Sequence, residues 1–189
     1  MNTDAKTLFL SFDDGPTPEI TEWILESLEK FQAKATFFCL GQNAEKFPHL
    51  LKQIRDAGHV ISSHGYSHSN GWKLSTTEFI QNVKKGATIL DTSVFRPPYG
   101  KFTLKQYKFL KNNYRLVLWD VLCGDYDSSR SGEQCKATII NMAKPGSIIV
   151  LHDNYKAEKN LKYILPRILH HYTSLGYEFK SLVFGSAVP

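Results

Sequence analysis

Residues 7–16 read TLFLSFDDGP, an apolar run that ends in two carboxylates and a Gly-Pro pair. Residues 7–12 have the length and composition of a buried strand bounded by turn signals. Residues 19–31 follow with Ile20, Trp23, Ile24, Leu28 and Phe31 at helical spacing, with Thr17 and Pro18 as start signals. The stretch therefore opens a β/α unit whose strand delivers Asp13 and Asp14 to its C-terminal end.

The same unit recurs outward along the chain. Strand-like runs at 35–40, 59–62, 94–96, 115–121 and 147–151 precede helical patterns at 44–57, 76–90, 103–112, 132–143 and 161–172, and a last strand is expected at 177–183. Between 62 and 76 lies a longer loop rich in Ser, His, Gly and Asn. Gly58, Gly146 and Gly176 stand where helices must stop before strands begin. Seven strands and six helices in alternation predict parallel units wound right-handed, either a barrel or a doubly wound open sheet. With 189 residues and no linker or repeat, the chain reads as a single α/β domain over 1–189.

Composition narrows the function classes. An apolar fraction of 42% with 13% aromatic residues supports a packed core and excludes a disordered chain. The net charge of +5 invites a nucleic-acid reading, but the basic residues do not cluster. Their densest stretch, 101–115, is interrupted by Phe102, Leu104, Tyr107, Phe109 and Leu110 and reads as an amphipathic helix with a solvated basic face. No nucleic-acid partner is expected. Cys39, Cys123 and Cys135 form no Cys-x-x-Cys pair, which argues against a disulfide framework or a thiolate zinc site. No apolar run reaches the ~18 residues of a membrane span, and MNTDAK lacks the pattern of an export signal. As it stands the sequence reads as cytoplasmic, with export by a longer precursor left open; nothing in it addresses oligomeric state.

The unusual polar residues share one address. Asp13 and Asp14, His64 and His68, Arg96, Asp120 and Asp125, and His152 and Asp153 all follow predicted strands. In a parallel β/α barrel those ends converge on the face where active sites are built. His64 and His68, four apart, would share one face of a helical turn, and Asp14 is the natural third ligand of a two-His, one-carboxylate cation site. Of two adjacent carboxylates, one can bind the cation while Asp13 takes a proton. The plain alternative, a helix cap, is weakened because Thr17 lies nearer the helix. His152 would emerge from a buried strand, where a neighbouring carboxylate could keep it protonated as a general acid. His49, His59, His170 and His171 have no such setting. Two histidines and a carboxylate also describe non-haem iron sites, which would leave Asp13 and His152 without a role.

SFDDGP at 11–16, ATFF at 35–38 with Gly41, GHVISSHGYSH at 58–68, RPPYG at 96–100 and VLHD at 150–153 together resemble the motifs of the polysaccharide deacetylases of carbohydrate esterase family 4, the chitooligosaccharide deacetylase homology domain. The resemblance covers nearly the whole chain and implies a distorted (β/α)7 barrel. It implies that Asp14, His64 and His68 hold one divalent ion, commonly zinc in that family, with Co2+, Ni2+ and Mn2+ as alternatives. It implies Asp13 as base, His152 as acid, Arg96 and Asp125 as the residues steadying them, the Tyr99 backbone N–H at the oxyanion, and Tyr126 and Val150 in the substrate pocket. The implied activity is removal of N-acetyl groups from an amino-sugar polysaccharide or oligosaccharide, peptidoglycan- or chitin-like. Three positions depart from the family pattern: Gly65 for Ser or Thr, Leu122 where a carboxylate is usual, and Tyr126 for Trp. Asp120, two residues before Leu122, is a candidate substitute for that carboxylate. An O-acetyl esterase, or a carbohydrate-binding protein using Trp72, Tyr99 and Tyr126, are the alternatives.

Overall fold

The computed structural model describes residues 5–184; the first four residues, part of the segment read for an export signal, lie outside them. The first half of the chain comprises β1 (Thr7–Asp13), α1 (Ile20–Glu29), β2 (Ala35–Cys39), α2 (Gly41–Lys46), α3 (Pro48–Asp56), β3 (Val60–Ser63) and α4 (Thr76–Leu90). After it come β4 (Val94–Phe95), a 3-10 turn (Pro98–Gly100), α5 (Leu104–Asn113), β5 (Arg115–Leu116), β6 (Val121–Leu122), α6 (Gly132–Met142), β7 (Ile148–His152), α7 (Glu158–Ser174) and β8 (Glu178–Phe179).

The strands pair in the order β5-β4-β3-β2-β1-β7-β6, every pairing parallel, and β8 pairs with the first residues of β1. β5 and β6 are consecutive in sequence yet stand at opposite ends of this order. The sheet is thus a half-barrel, the expected distorted (β/α)7 architecture with a seam between β5 and β6.

The strand period of two decides what faces inward. Leu8, Leu10 and Phe12 of β1, with Ile149 and Leu151 of β7, pack on Ile24 and Leu28 of α1 and on Leu161, Ile164 and Ile168 of α7. Phe9 and Ile148 take the opposite face, against Phe38, Val117 and Leu182. By the same parity Ser11 and Asp13 of β1, and Val150 and His152 of β7, belong to the barrel interior. Asp13 and His152 stand directly opposite each other in the register of β1 and β7.

Several expectations need correction. The helix expected at 44–57 is two helices, because Phe47 leaves the helical region (φ −128°, ψ 58°) and Pro48 begins the second; a residue before proline is pushed out of the α region and proline brings no N–H. The strand expected at 115–121 is two two-residue strands, because Val117 N still reaches Phe95 O on β4 while Asp120 N reaches Ile148 O on β7, and the chain crosses between the two ends of the sheet order in between. The final strand is confined to β8, and Leu182 continues to a backbone hydrogen bond with Thr36 Oγ1. Thr17 does not cap α1: Glu19 and Glu22 form its capping box, while Thr17 Oγ1 donates to the Asp153 carbonyl at 2.7 Å. Leu104, read as part of the buried face of a basic helix, is 81% exposed, and Gln106 is buried in its stead. Its amide is satisfied there by Thr103 N–H and the Gly71 carbonyl.

Candidate functional site

Arg96 organises the site from within the seam. Its guanidinium is fully buried, stacks on Phe38 with 3.8 Å to the ring centroid, and donates to Asp13 Oδ1 (2.7 Å), Ser11 Oγ (2.8 Å), Val117 O (3.4 Å) and Leu118 O (3.1 Å). The two carbonyls lie where the chain crosses from β5 to β6, and buried carbonyls must be paired somewhere. One side chain therefore ties the segment after β5 to β1 across the barrel interior and fixes the Asp13 carboxylate.

Asp14 adopts a left-handed backbone conformation (φ 80°). Asn154 Nδ2 donates to its Oδ2 at 2.7 Å, which leaves Oδ1 buried with no hydrogen-bond partner. His64, buried at the end of β3, has Nδ1 2.8 Å from the Arg96 carbonyl. A carbonyl only accepts, so Nδ1 carries the proton and Nε2 presents its lone pair to Asp13 Oδ2 (3.8 Å) and Asp14 Oδ1 (3.7 Å). Burial, against the pull of Asp14, pushes His64 down to about 3, so the ring stays neutral and ligand-competent. His68 Nε2 lies 3.2 Å from Asp14 Oδ1.

The ligand atoms of Asp14, His64 and His68 all fall within 4.8 Å of one another. A buried carboxylate oxygen without a donor, faced by two imidazole nitrogens, is the environment a divalent cation satisfies, and the donor set suits zinc-like ions. The residues present fit such a group.

The histidine pair is not helical, contrary to the spacing argument. Residues 64–68 form a loop in which Gly65 (φ 82°) and His68 (φ 55°) both take left-handed conformations. Asn82 of α4 holds it, accepting from Tyr66 N (2.9 Å) and donating to Ser67 Oγ (2.7 Å). A Cβ on Gly65 would lie 2.9 Å from Asn82 Oδ1, so the departure at Gly65 makes room for this tether. Tyr99 is a third left-handed residue (φ 60°), its ring set edgewise 4.6 Å from that of His68. Strained non-glycine residues concentrated at one place are characteristic of functional sites.

His152 and Asp125 form the opposite wall. Asp125, fully buried, accepts from His152 Nδ1 (2.8 Å) and from its backbone N–H (2.7 Å). Burial alone would favour the neutral ring, but the charge of Asp125 and its hydrogen bond prevail and raise His152 to about 9. Tyr126 stands perpendicular to the His152 ring at 4.8 Å. Leu122 pairs in register with Val150, and both line the same cleft, of about 500 Å3, as the Asp and His groups. Asp120 does not replace the missing carboxylate: it is exposed, and its Oδ2 accepts from Ile148 N, at the start of β7 rather than its end.

Behind the ligands, Asp153 is fully buried, its Oδ2 accepting from Thr21 Oγ1 at 2.6 Å, and burial pushes it up to about 8. A Cβ on Gly15 would fall inside this carboxyl group, which explains glycine at that turn. Asn154, Asn82 and Ser11 were not singled out from sequence; Asn154 alone carried a signal, by following His152-Asp153. A larger cleft, about 760 Å3, lies between α1 and α3, lined by Glu22, Glu26, Glu29 and His59, and shares no residue with this site.

The site is thus a parallel β/α half-barrel mouth carrying an Asp-His-His cluster that could hold a metal ion, flanked by an arginine-held carboxylate and a carboxylate-held histidine. Comparison with known proteins places it further. The polysaccharide deacetylase family matches residues 1–115. A peptidoglycan-N-acetylglucosamine deacetylase of Bacillus cereus is 39% identical over 150 residues, 76% of this chain and 54% of its own length. The chitooligosaccharide deacetylase of Azorhizobium caulinodans is 32% identical over 158 residues, 79% of this chain and 75% of its own. A solved peptidoglycan N-acetylglucosamine deacetylase, in complex with 4-naphthalen-1-yl-N-oxidanyl-benzamide, superposes with a TM-score of 0.87 at 33% identity, over 95% of this chain and 87% of that one. The chain belongs to the polysaccharide deacetylase family. It spans about half the length of the B. cereus relative.

Proposed function

We propose that the chain hydrolyses N-acetyl groups on an amino-sugar polysaccharide or oligosaccharide of the peptidoglycan or chitin type. The observation that carries this reading is the placement of Asp13 and His152 opposite each other on neighbouring strands, beside the Asp14–His64–His68 cluster. When bound at that cluster, a divalent cation, zinc in this proposal, supplies Lewis-acid polarisation of the acetyl carbonyl and makes a water it holds more acidic.

The protein groups do the rest. Asp13, held by Arg96 from one side, accepts the proton of the attacking water. The Tyr99 backbone N–H donates to the carbonyl oxygen as it gains charge. Val150, Leu122 and Tyr126 form the wall against which the acetyl group lies. His152 gives its proton to the departing nitrogen as the C–N bond breaks, releasing acetate and a free amine. Asp125 keeps that proton in place beforehand. The pair supplies what an amide requires and an ester needs far less, because an alkoxide leaves with far less help than an amine anion does.

Acetate release from N-acetylglucosamine oligomers and peptidoglycan fragments, before and after chelation and metal return, tests the reading. Metal-replete protein that releases no acetate from any of them would reject it. Acetate released from acetyl esters but from none of the matching amides would transfer the reading to an O-acetyl esterase.

A further inference from the structure

Two lysines stand at the cleft outside the salt bridges found among the described residues. Lys101 follows the 3-10 turn after β4, and Lys156 follows β7. In the strand order these loops bracket the ones after β1 and β3 that carry Asp14, His64 and His68. Lys101 Nζ lies 4.8 Å from the Trp72 ring centroid, and Lys156 Nζ 5.6 Å from that of Tyr126. Among the described residues neither ammonium makes a salt bridge, although Lys156 feels the charge of Asp127, whereas Lys52, Lys136, Lys162 and Lys180 each sit beside a carboxylate.

The cleft does not need these charges for its own neutrality. Asp13 is matched by Arg96 and Asp125 by His152, and Asp14 is left for the cation its cluster could hold. A ring face steadies an ammonium group while leaving N–H donors free to point at a ligand. A neutral sugar chain would offer such donors only hydroxyls, and a lysine is a point charge suited to an anion. Trp72, 65% exposed beside Lys101, adds a flat apolar face of the kind that a sugar ring covers.

We propose that Lys101 and Lys156 bind carboxylates on the sugars flanking the one that reacts, so that the cleft selects an acidic amino-sugar polymer over a neutral one. This inference rests on the deacetylase reading and adds to it the charge of the substrate. The acid can come from a lactyl ether on an amino sugar or from a uronic acid, and separate arms of the test distinguish these sources.

The experiment compares three oligomers of equal length: neutral N-acetylglucosamine, an alternating chain with lactyl carboxylates, and an alternating chain with uronic acids. Binding is read by calorimetry on metal-loaded Asp13→Asn protein, which spares the substrate, and acetate release is read on the native chain. Lys101→Met, Lys156→Met and the double variant are placed in both backgrounds. At least one acidic oligomer should bind more tightly than the neutral one. Each lysine lost should reduce that preference about two- to fivefold, the size of an exposed ion pair, and added salt should erode it. Equal binding of all three oligomers, or a preference that survives in the double variant, overturns the proposal even if acetate is released. Lysine-dependent binding without acetate release would keep the anion site and refute the deacetylase reading instead.

Discussion

Replacing Arg96 with Met tests the central structural argument, because that side chain is asked to tie the segment after β5 to β1 and hold the base at once. The substitution removes the hydrogen bonds to Asp13, Ser11, Val117 and Leu118 and leaves a buried carboxylate without its counter-charge. Deleting one partner of a buried ion pair costs ~3–5 kcal/mol. At ~2–4 °C per kcal/mol for a chain of this size, Tm should fall by ~6–20 °C. The share due to the stranded carboxylate is separable from the share due to the seam. In Asp13→Leu/Arg96→Met protein no charge is left unpaired, although the Val117 and Leu118 carbonyls still lose their donor. The double variant should therefore be more stable than the sum of the two single losses by ~1–3 kcal/mol. Thermal and urea unfolding followed by circular dichroism, on all four proteins, gives the cycle. An Arg96→Met protein within about 2 °C of the parent, or strictly additive losses, would refute the dual role assigned to this residue.

Other expectations follow from the same geometry. Asp13→Asn should keep the metal and lower kcat by ~10²–10⁴, the usual size of a general-base loss; His68→Ala should lose metal in elemental analysis. Asn154→Ala removes the donor that orients Asp14, and metal affinity should drop by ~10–100-fold in a competition titration although no ligand has changed. His152 is held up at about 9 in the folded chain, above an ordinary value near 6.5. Its contribution to stability is therefore fully present below about pH 6.5 and is lost as pH rises through about 9. Acid-assisted turnover should fade over that same upper limb, and Asp125→Asn should move the limb to lower pH; a pH–rate profile unchanged in Asp125→Asn would remove the assignment. Gly15→Ala should destabilise by ~1–3 kcal/mol or more, because its methyl group meets the buried Asp153 carboxyl.

Much of the architecture was legible because it depends on local chemistry repeated along the chain. Apolar runs of strand length alternate with helical spacing, and polar residues at the strand ends mark one face of a parallel barrel. Asp13 and Asp14 could be placed at the mouth from TLFLSFDDGP alone. The strand period of two then fixed which of them follows Phe9 and Ser11 toward the interior. The motifs of SFDDGP, GHVISSHGYSH, RPPYG and VLHD carried the remaining residues, since motif order survives where three-dimensional distance is invisible.

Tertiary structure alone decided how the sheet ends. No pattern in residues 115–121 announces that the strand breaks there, because the break follows from β5 pairing with β4 while β6 pairs with β7. The carbonyls freed at that break are the ones Arg96 needs, so the arginine's role is likewise a property of the closed shape. His64 and His68 meet through left-handed turns held by Asn82, a residue fourteen or more positions away with no local signal. Asn154 on Asp14 joins chain ends 140 residues apart. Sequence determines what each segment prefers and which chemistry it carries. Which donor satisfies which buried acceptor is settled only when distant segments share one low-dielectric interior, where every polar group must find a partner.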